Sequence, residues 1–279
     1  MATFATSDQL LVIIDPAARQ ADGESVRIAK DVLSAGAAAK LCLPEGPDEF
    51  ARALGRRGSR RPVVIGDGRA LARAVALLHR RHELAGCALS VVPVGDTALA
   101  ESLGVPGGPV AAARAVLDGV ERRLDLLVDD SDGVVLGALG IPPAPVRAAA
   151  AEPLAVSSGR SWYRSLARTL APRPVRLSAV PPSRAARLRV EVDGDRVVDL
   201  DQPVEAVSVT PGTGGAASVV VRPLSVGAEA TPLLARGRTV TVTGADFRYR
   251  ADATVSGPVR RRTWRVAEGG WGLVLPAER

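Results

Sequence analysis

The stretch from Pro62 to Pro106 limits what this chain can fold into more than any other. It reads PVVIGDGRALARAVALLHRRHELAGCALSVVPVGDTALAESLGVP and holds two short β-branched runs, at 62–65 and 89–94. Each runs into a glycine turn, Gly66-Asp67-Gly68 and Gly95-Asp96-Thr97, and then into a helix. After the first turn Leu71, Ala74, Val75 and Leu78 recur at helical spacing. Two glycine turns at the carboxyl ends of neighbouring parallel strands share one crevice. Exposed N–H groups and helix N-termini in such a crevice hold phosphate oxygens, so the pattern points to a nucleotide.

The flanking sequence extends the alternation. Residues 9–14, QLLVII, read as a strand followed by the turn Asp15-Pro16-Ala17-Ala18; 25–33 read as a helix, 39–43 as a strand, 47–54 as a helix and 111–120 as another. Strand and helix in alternation imply a parallel sheet covered on both faces. From Arg122 the character changes. Asp129, Asp130 and Asp132 lie in a polar segment that reads as a hairpin turn, with a hard-cation site as the alternative. The stretch after Pro142-Pro143-Ala144-Pro145 reads as a connection and 161–170 as a helix. From Arg187 onward period-two runs separated by turns imply an antiparallel, sandwich-like β domain: RLRVEV, RVVDL, EAVSVT, SVVVRPL, RTVTVTG, FRYRADATV, RRTWRV and WGLVLP. The glycine-rich turn at 211–215 is followed by no helical pattern and reads as a loop rather than a phosphate cradle. The expected division is an α/β nucleotide-binding domain over 1–124 and a β-rich domain over 125–279, with the last residues packing back on the first.

A chain of 279 residues that is 47% hydrophobic supports a sizeable core. Its net charge of +6 and isoelectric point near 10.2 raise the question of nucleic acid. Lys30 and Lys40 are the only lysines, so the charge is arginine, in a background of Ala, Val, Gly and Pro that a GC-rich coding sequence produces with no partner involved. No aromatic or groove-reading motif accompanies it; a basic surface suits anionic lipid as well. Arg56, Arg57, Arg60 and Arg61 read as a solvated loop, with a phosphate or lipid-headgroup contact as the alternative. His79 and His82 read as helix-end residues, since no third ligand accompanies them. Cys42 and Cys87 read as buried or free thiols. No apolar run of about 18 residues and no secretory layout is present, so the expected location is cytoplasmic, with peripheral contact at the inner membrane surface.

The strand-GDG-helix unit followed by strand-PxG and LAxSLGVP resembles the catalytic domain of the diacylglycerol kinase family of lipid kinases. Where that family has Gly-Gly-Asp-Gly-Thr, this chain has Ile65-Gly66-Asp67-Gly68-Arg69. The family's Pro-x-Gly-Thr-x-Asn-Asp-(Phe or Leu)-Ala-Arg-x-Leu-Gly-(Ile or Val)-Pro becomes Pro93 to Pro106, one residue shorter, with Asp96 in place of the loop Thr and Thr97 and Ala98 in place of the Asn-Asp pair. The family's Asn-Pro-x-Ser-Gly turn becomes Asp15-Pro16-Ala17-Ala18-Arg19. No asparagine occurs anywhere in the chain.

The resemblance implies ATP-dependent phosphorylation of a lipid hydroxyl, with ATP and Mg²⁺ as cofactors if the chain is active. Asp15, Gly66, Asp67, Gly68, Arg69, Gly95, Asp96 and Thr97 then frame the nucleotide, and Asp67 is the candidate metal ligand. Asp67 reads equally as the cap of the following helix. Phosphoryl transfer needs a carboxylate to take the hydroxyl proton. In the family this is the Glu of an Asp-Gly-Glu motif, where this chain carries Asp252-Ala253-Thr254; Ser256-Gly257-Pro258, one register on, has no carboxylate either. Each lost group costs about 2 to 4 kcal/mol of transition-state stabilisation. The expectation is therefore weak or lost kinase activity. The alternatives are a pseudokinase that senses nucleotide or lipid for a partner, and a kinase using a rearranged base such as Asp252 or Asp246.

Overall fold

The computed structural model describes residues 9–143, 185–224 and 231–277. Its first half alternates β1 (Gln9–Ile14), α1 (Pro16–Ala21), α2 (Gly23–Gly36), β2 (Ala38–Cys42), α3 (Pro47–Gly55), β3 (Arg61–Gly66), α4 (Gly68–Arg80), β4 (Ala88–Pro93), α5 (Ala98–Ser102) and α6 (Pro109–Asp118). The strands pair in parallel in the order β2-β1-β3-β4. Five consecutive residues of β1, Leu10 to Ile14, are buried irrespective of alternation, as happens only when both faces of a sheet are covered. Each helix contributes an apolar stripe: Val26, Ala29 and Leu33 from α2, Phe50 and Leu54 from α3, Leu71, Ala74, Val75 and Leu78 from α4.

One element departs from the reading of the sequence here. Residues 16–21, read as a turn, form α1, because Asp15 caps the helix through Ala17 N–H and Pro16 occupies its first position, where a missing N–H costs nothing.

The second half consists of β5 (Val120–Asp129), β6 (Val134–Val135), β7 (Leu139–Ile141), β8 (Ala186–Val192), β9 (Asp195–Val198), β10 (Pro203–Pro211), β11 (Ala217–Pro223), β12 (Leu233–Gly237), β13 (Thr239–Ala251) and β14 (Thr254–Leu275). These pair antiparallel with one another. β10 and β13 are bridged twice, by β7 and by β8, so the ladder closes on itself. Alternate residues point inward: Leu188, Val190 and Val192 of β8, Val207 and Val209 of β10, Val219 and Val221 of β11, and Val240 and Val242 of β13 surround Trp264 in a second core. The glycine-rich segment at 211–215 is the β10–β11 turn, closed by Gly212 N–H to the Ala216 carbonyl at 3.0 Å.

β14 joins the two halves. Its first part pairs with β13, its later part with β5, and Gly272 and Leu273 pair in parallel with Ala88 and Leu89 of β4. Trp264 therefore lies in the second core, and Trp271, Leu273 and Leu275 lie in the first.

Two corrections concern this strand. RRTWRV and WGLVLP, read as separate strands, are one, interrupted by a register shift between Ala267 and Trp271. Asp125 holds this irregularity, its carboxylate accepting from Gly269 N–H at 2.7 Å and from Gly215 N–H at 2.8 Å. Conversely FRYRADATV, read as one strand, is broken into a β13–β14 hairpin. Asp252 takes φ 49° at the break, a left-handed conformation that ends a strand and that Asp tolerates better than most side chains. The helix expected over 161–170 lies outside the described residues.

Candidate functional site

Three turns meet at the carboxyl ends of β1, β3 and β4. Asp15 N–H donates to the Ile65 carbonyl at 2.9 Å, and Val94 N–H to the Gly66 carbonyl at 3.0 Å, which locks the three strand ends in register. Glycine is required where they touch. A Cβ on Gly66 would lie 2.8 Å from that of Ala70 and 3.1 Å from that of Asp15. Gly95 has φ +92° and faces Asp67, whose Cβ is 3.9 Å from where its own would be. Gly68 N–H reaches the Asp96 carbonyl at 3.4 Å. The structure thus brings together Asp15, Gly66, Asp67, Gly68, Gly95 and Asp96.

The donors at this crest are largely committed. Asp67 Oδ1 accepts from Arg69 N–H and Ala70 N–H, both at 3.0 Å, capping α4. Asp96 Oδ1 accepts from Ala98 N–H at 3.2 Å, and Thr97 Oγ1 donates to Glu101 Oε1 at 2.7 Å. Asp15, 5% exposed, accepts from Ala17 N–H through one oxygen and from Arg73 Nη1 through the other, each at 2.9 Å. Among the described residues no group of three or more His, Cys, Asp or Glu is placed to hold a metal ion.

Beside the crest lies a cleft of about 310 Å³ between α4 and the β13–β14 hairpin. Arg69, Ala72, Arg73 and Ala76 form one wall, in keeping with their helical spacing; Tyr249, Thr254 and Ser256 lie on the other, and Asp129 and Asp252 also line the cleft. Arg69 is exposed and lines the cleft without filling it. Asp252 is occupied in the structure of the hairpin: Leu136 N–H donates to Oδ2 at 2.8 Å, and Gly137 and Ala138 N–H to Oδ1 at 2.8 and 3.0 Å. Burial pushes its carboxyl up and these three bonds only partly offset that. Asp246 pairs with Arg260 at 3.1 Å and is not among the residues of the cleft. Thr254, at the position expected for the base, is exposed on the cleft wall.

Asp129 belongs to the β5–β6 turn. Its Oδ1 accepts from Ser131 N–H, Ser131 Oγ and Gly133 N–H, each at 2.8 Å, and its Oδ2 from the Tyr249 hydroxyl at 3.2 Å. Burial raises its carboxyl, but the Gly133 and Ser131 bonds and the nearby Arg262 outweigh that and bring it below the usual value. The tyrosine is held protonated by burial and by the facing carboxylate.

By sequence the chain matches no protein-family model, and no curated protein matches it. Structures give a different result. Two solved structures from Bacillus anthracis str. Sterne described as a "putative diacylglycerol kinase" superpose with TM-scores of 0.73 and 0.71, and one described as a diacylglycerol kinase with 0.69. Each match is 12% identical and covers 98% of both chains. This chain has their fold.

Arg73 escaped the reading of the sequence. It lies four residues beyond Arg69 on α4, a spacing that puts both on one helix face; its pairing with Asp15, 58 residues away, leaves no local signal. Tyr249 escaped for the same reason, its partner Asp129 being 120 residues distant. In the arginine cluster, Arg57 pairs with Glu83 and Arg61 donates to the Val116 carbonyl at 2.6 Å, so both serve the fold. Among the described residues no helix is long and apolar enough to cross a membrane.

Proposed function

We propose that this chain is a diacylglycerol-kinase-like protein that binds nucleotide at the crest of β1, β3 and β4 and transfers phosphate to a lipid hydroxyl weakly or not at all. The observation that carries the reading is the state of the carboxylates lining the adjacent cleft: every oxygen of Asp129 and Asp252 already accepts a hydrogen bond from the protein, and the two oxygens of Asp252 take three backbone N–H groups between them. Asp129, held below the usual carboxylate value, is a weak proton acceptor, and Asp252, although burial raises it, has both oxygens tied to the backbone of 136–138. A threonine stands where the proton acceptor is expected.

Nucleotide binding is supported by the chemistry of the crest. The Gly68 N–H bond to Asp96 is long at 3.4 Å and open to replacement by a phosphate oxygen. Arg69, with no ion pair among the described residues, follows Gly68 in the chain, and its guanidinium matches phosphate geometry. Gly68, Arg69, Gly95 and Thr97 would hold the phosphates, and Asp67 would meet a Mg²⁺ that takes its remaining ligands from phosphate and water. ATP, when bound, supplies the phosphoryl group. The aspartate caps on α1 and α4 and the Asp96 bond to Ala98 N–H take up N–H donors there, which sets the expected affinity low.

The test is a thermal melt with ATP and Mg²⁺ alongside release of labelled phosphate to a short-chain diacylglycerol. A rise in melting temperature at millimolar nucleotide, with transfer near background, is the expected pair of results. No rise removes the nucleotide reading, and brisk transfer removes the claim of lost catalysis.

A further inference from the structure

The α4–hairpin cleft presents hydrogen-bond donors and no available acceptor carboxylate. From the helix come Arg69, unpaired among the described residues, and Arg73, whose Nη1 is held by Asp15. From the hairpin come the hydroxyls of Thr254 and Ser256. The carboxylates that line the cleft direct their oxygens to protein donors: Asp252 to the backbone of 136–138, Asp129 to its own turn and to Tyr249, with Arg262 Nη1 at 3.9 Å from Asp129. A neutral glycerolipid hydroxyl would meet no carboxylate oxygen here that does not already accept a hydrogen bond from the protein.

We infer that this cleft receives a phosphate monoester, the phosphorylated headgroup of a glycerolipid or its water-soluble counterpart, rather than an unphosphorylated alcohol. A guanidinium donates in pairs to phosphate oxygens, and a monoester offers three of them with close to two negative charges near neutral pH. Room is adequate: about 310 Å³ is some ten times the ~30 Å³ share of one water, enough for a phosphate and a glycerol unit. Two of the residues that depart from the resembled motifs, Arg69 and Thr254, lie 185 positions apart in the sequence and line this one cleft. Relative to those motifs, one adds a positive charge and the other removes a negative charge, so both changes favour an anion. The inference shares Arg69 with the proposed nucleotide site while Thr254 belongs to the cleft alone, so Thr254→Glu beside a separate ATP titration tells failure of the one reading from failure of the other.

Isothermal titration calorimetry of the full chain with dihexanoyl phosphatidate, sn-glycerol 3-phosphate, inorganic phosphate and dihexanoylglycerol tests it. Phosphatidate binding at least tenfold tighter than dihexanoylglycerol is expected, with Arg69→Thr and Thr254→Glu each weakening it tenfold or more while their circular dichroism and urea midpoints stay near those of the parent. Phosphatidate binding well above glycerol 3-phosphate and phosphate assigns the lipid as the source of the headgroup. Equal affinity for all three phosphates assigns the soluble ion, with the same chemistry. Preference for the neutral glycerolipid, or unchanged phosphatidate affinity in both variants, overturns the proposal.

Discussion

Asp15 and Arg73 meet at 2.9 Å and tie the turn after the first strand to the helix that walls the cleft. The pair is lopsided: the aspartate side chain is 7% exposed and the arginine 36%. The guanidinium also lies 5.6 Å from the ring centre of Phe50, so it is held on two sides. Crest and cleft are thereby coupled through one side chain.

Removing that side chain should cost stability in a way that reports the pairing. Arg73→Ala leaves a buried carboxylate without its cation and is expected to cost about 2 kcal/mol. Asp15→Asn keeps a side chain that caps α1 and loses only the charge. A double-mutant cycle by urea unfolding should give a coupling of about 1 kcal/mol or more. Additive single effects would show that the two side chains are neighbours without being partners.

The turn at Asp129 makes a prediction about acid. Its carboxyl is held below the ordinary value of 3.8, because the Gly133 and Ser131 bonds and Arg262 outweigh the effect of burial. A depressed carboxyl stabilises the fold above its unfolded-state pKa and loses that contribution as the pH falls through the folded value. Asp129→Asn should therefore be less stable than the parent by about 2 kcal/mol at pH 7, with the gap narrowing from about pH 4 downward. Urea midpoints at pH 7, 5, 4 and 3 measure it. A gap that stays constant across this range would mean that the charge contributes nothing.

How far the sequence could be read depended on whether the controlling contacts were local. β1 was legible from end to end because a run of five buried residues shows itself without neighbours. α4 was legible from its apolar stripe, and the meeting of the two glycine turns from strand order alone. α1 had its signal, an aspartate followed by proline, but that signal also fits a turn. β12 carried none, since an edge strand with Leu233 and Leu234 exposed has no buried face to impose alternation. The hydrogen bonds of Asp252 were hidden for a different reason: its donors lie 114 to 116 residues away, so nothing local shows that this residue also anchors a hairpin.

That anchoring gives the third prediction. Asp252→Ala leaves Leu136, Gly137 and Ala138 N–H without their acceptor and places a Cβ-bearing residue with no stabilising side chain at φ 49°. A loss of about 3 kcal/mol is expected. Asn, which tolerates the left-handed conformation and keeps one acceptor oxygen, should lose less than Ala. Hydrogen exchange at 136–138 separates this from a general loosening. Faster exchange confined to those amides is the expected signature, and uniform acceleration across β13 and β14 would count against a local anchor.

The fourth prediction follows from the proposed loss of catalysis. Thr254 is exposed on the cleft wall two residues beyond Asp252, where a longer acidic side chain would extend toward α4 without displacing a core group. Thr254→Glu places a carboxylate opposite Arg69 and Arg73, in position to take the proton of a lipid hydroxyl. A positioned general base contributes roughly 10²- to 10⁴-fold, and the ion pairing it invites with the arginines lowers its basicity and reduces that gain. Transfer of labelled phosphate from ATP to dioctanoylglycerol should therefore rise at least tenfold over the parent. If the variant still shows the nucleotide-dependent rise in melting temperature and transfer stays at background, the missing carboxylate is not what limits phosphoryl transfer, and the geometry of the crest, with its N–H donors taken by Asp15, Asp67 and Asp96, is the better explanation.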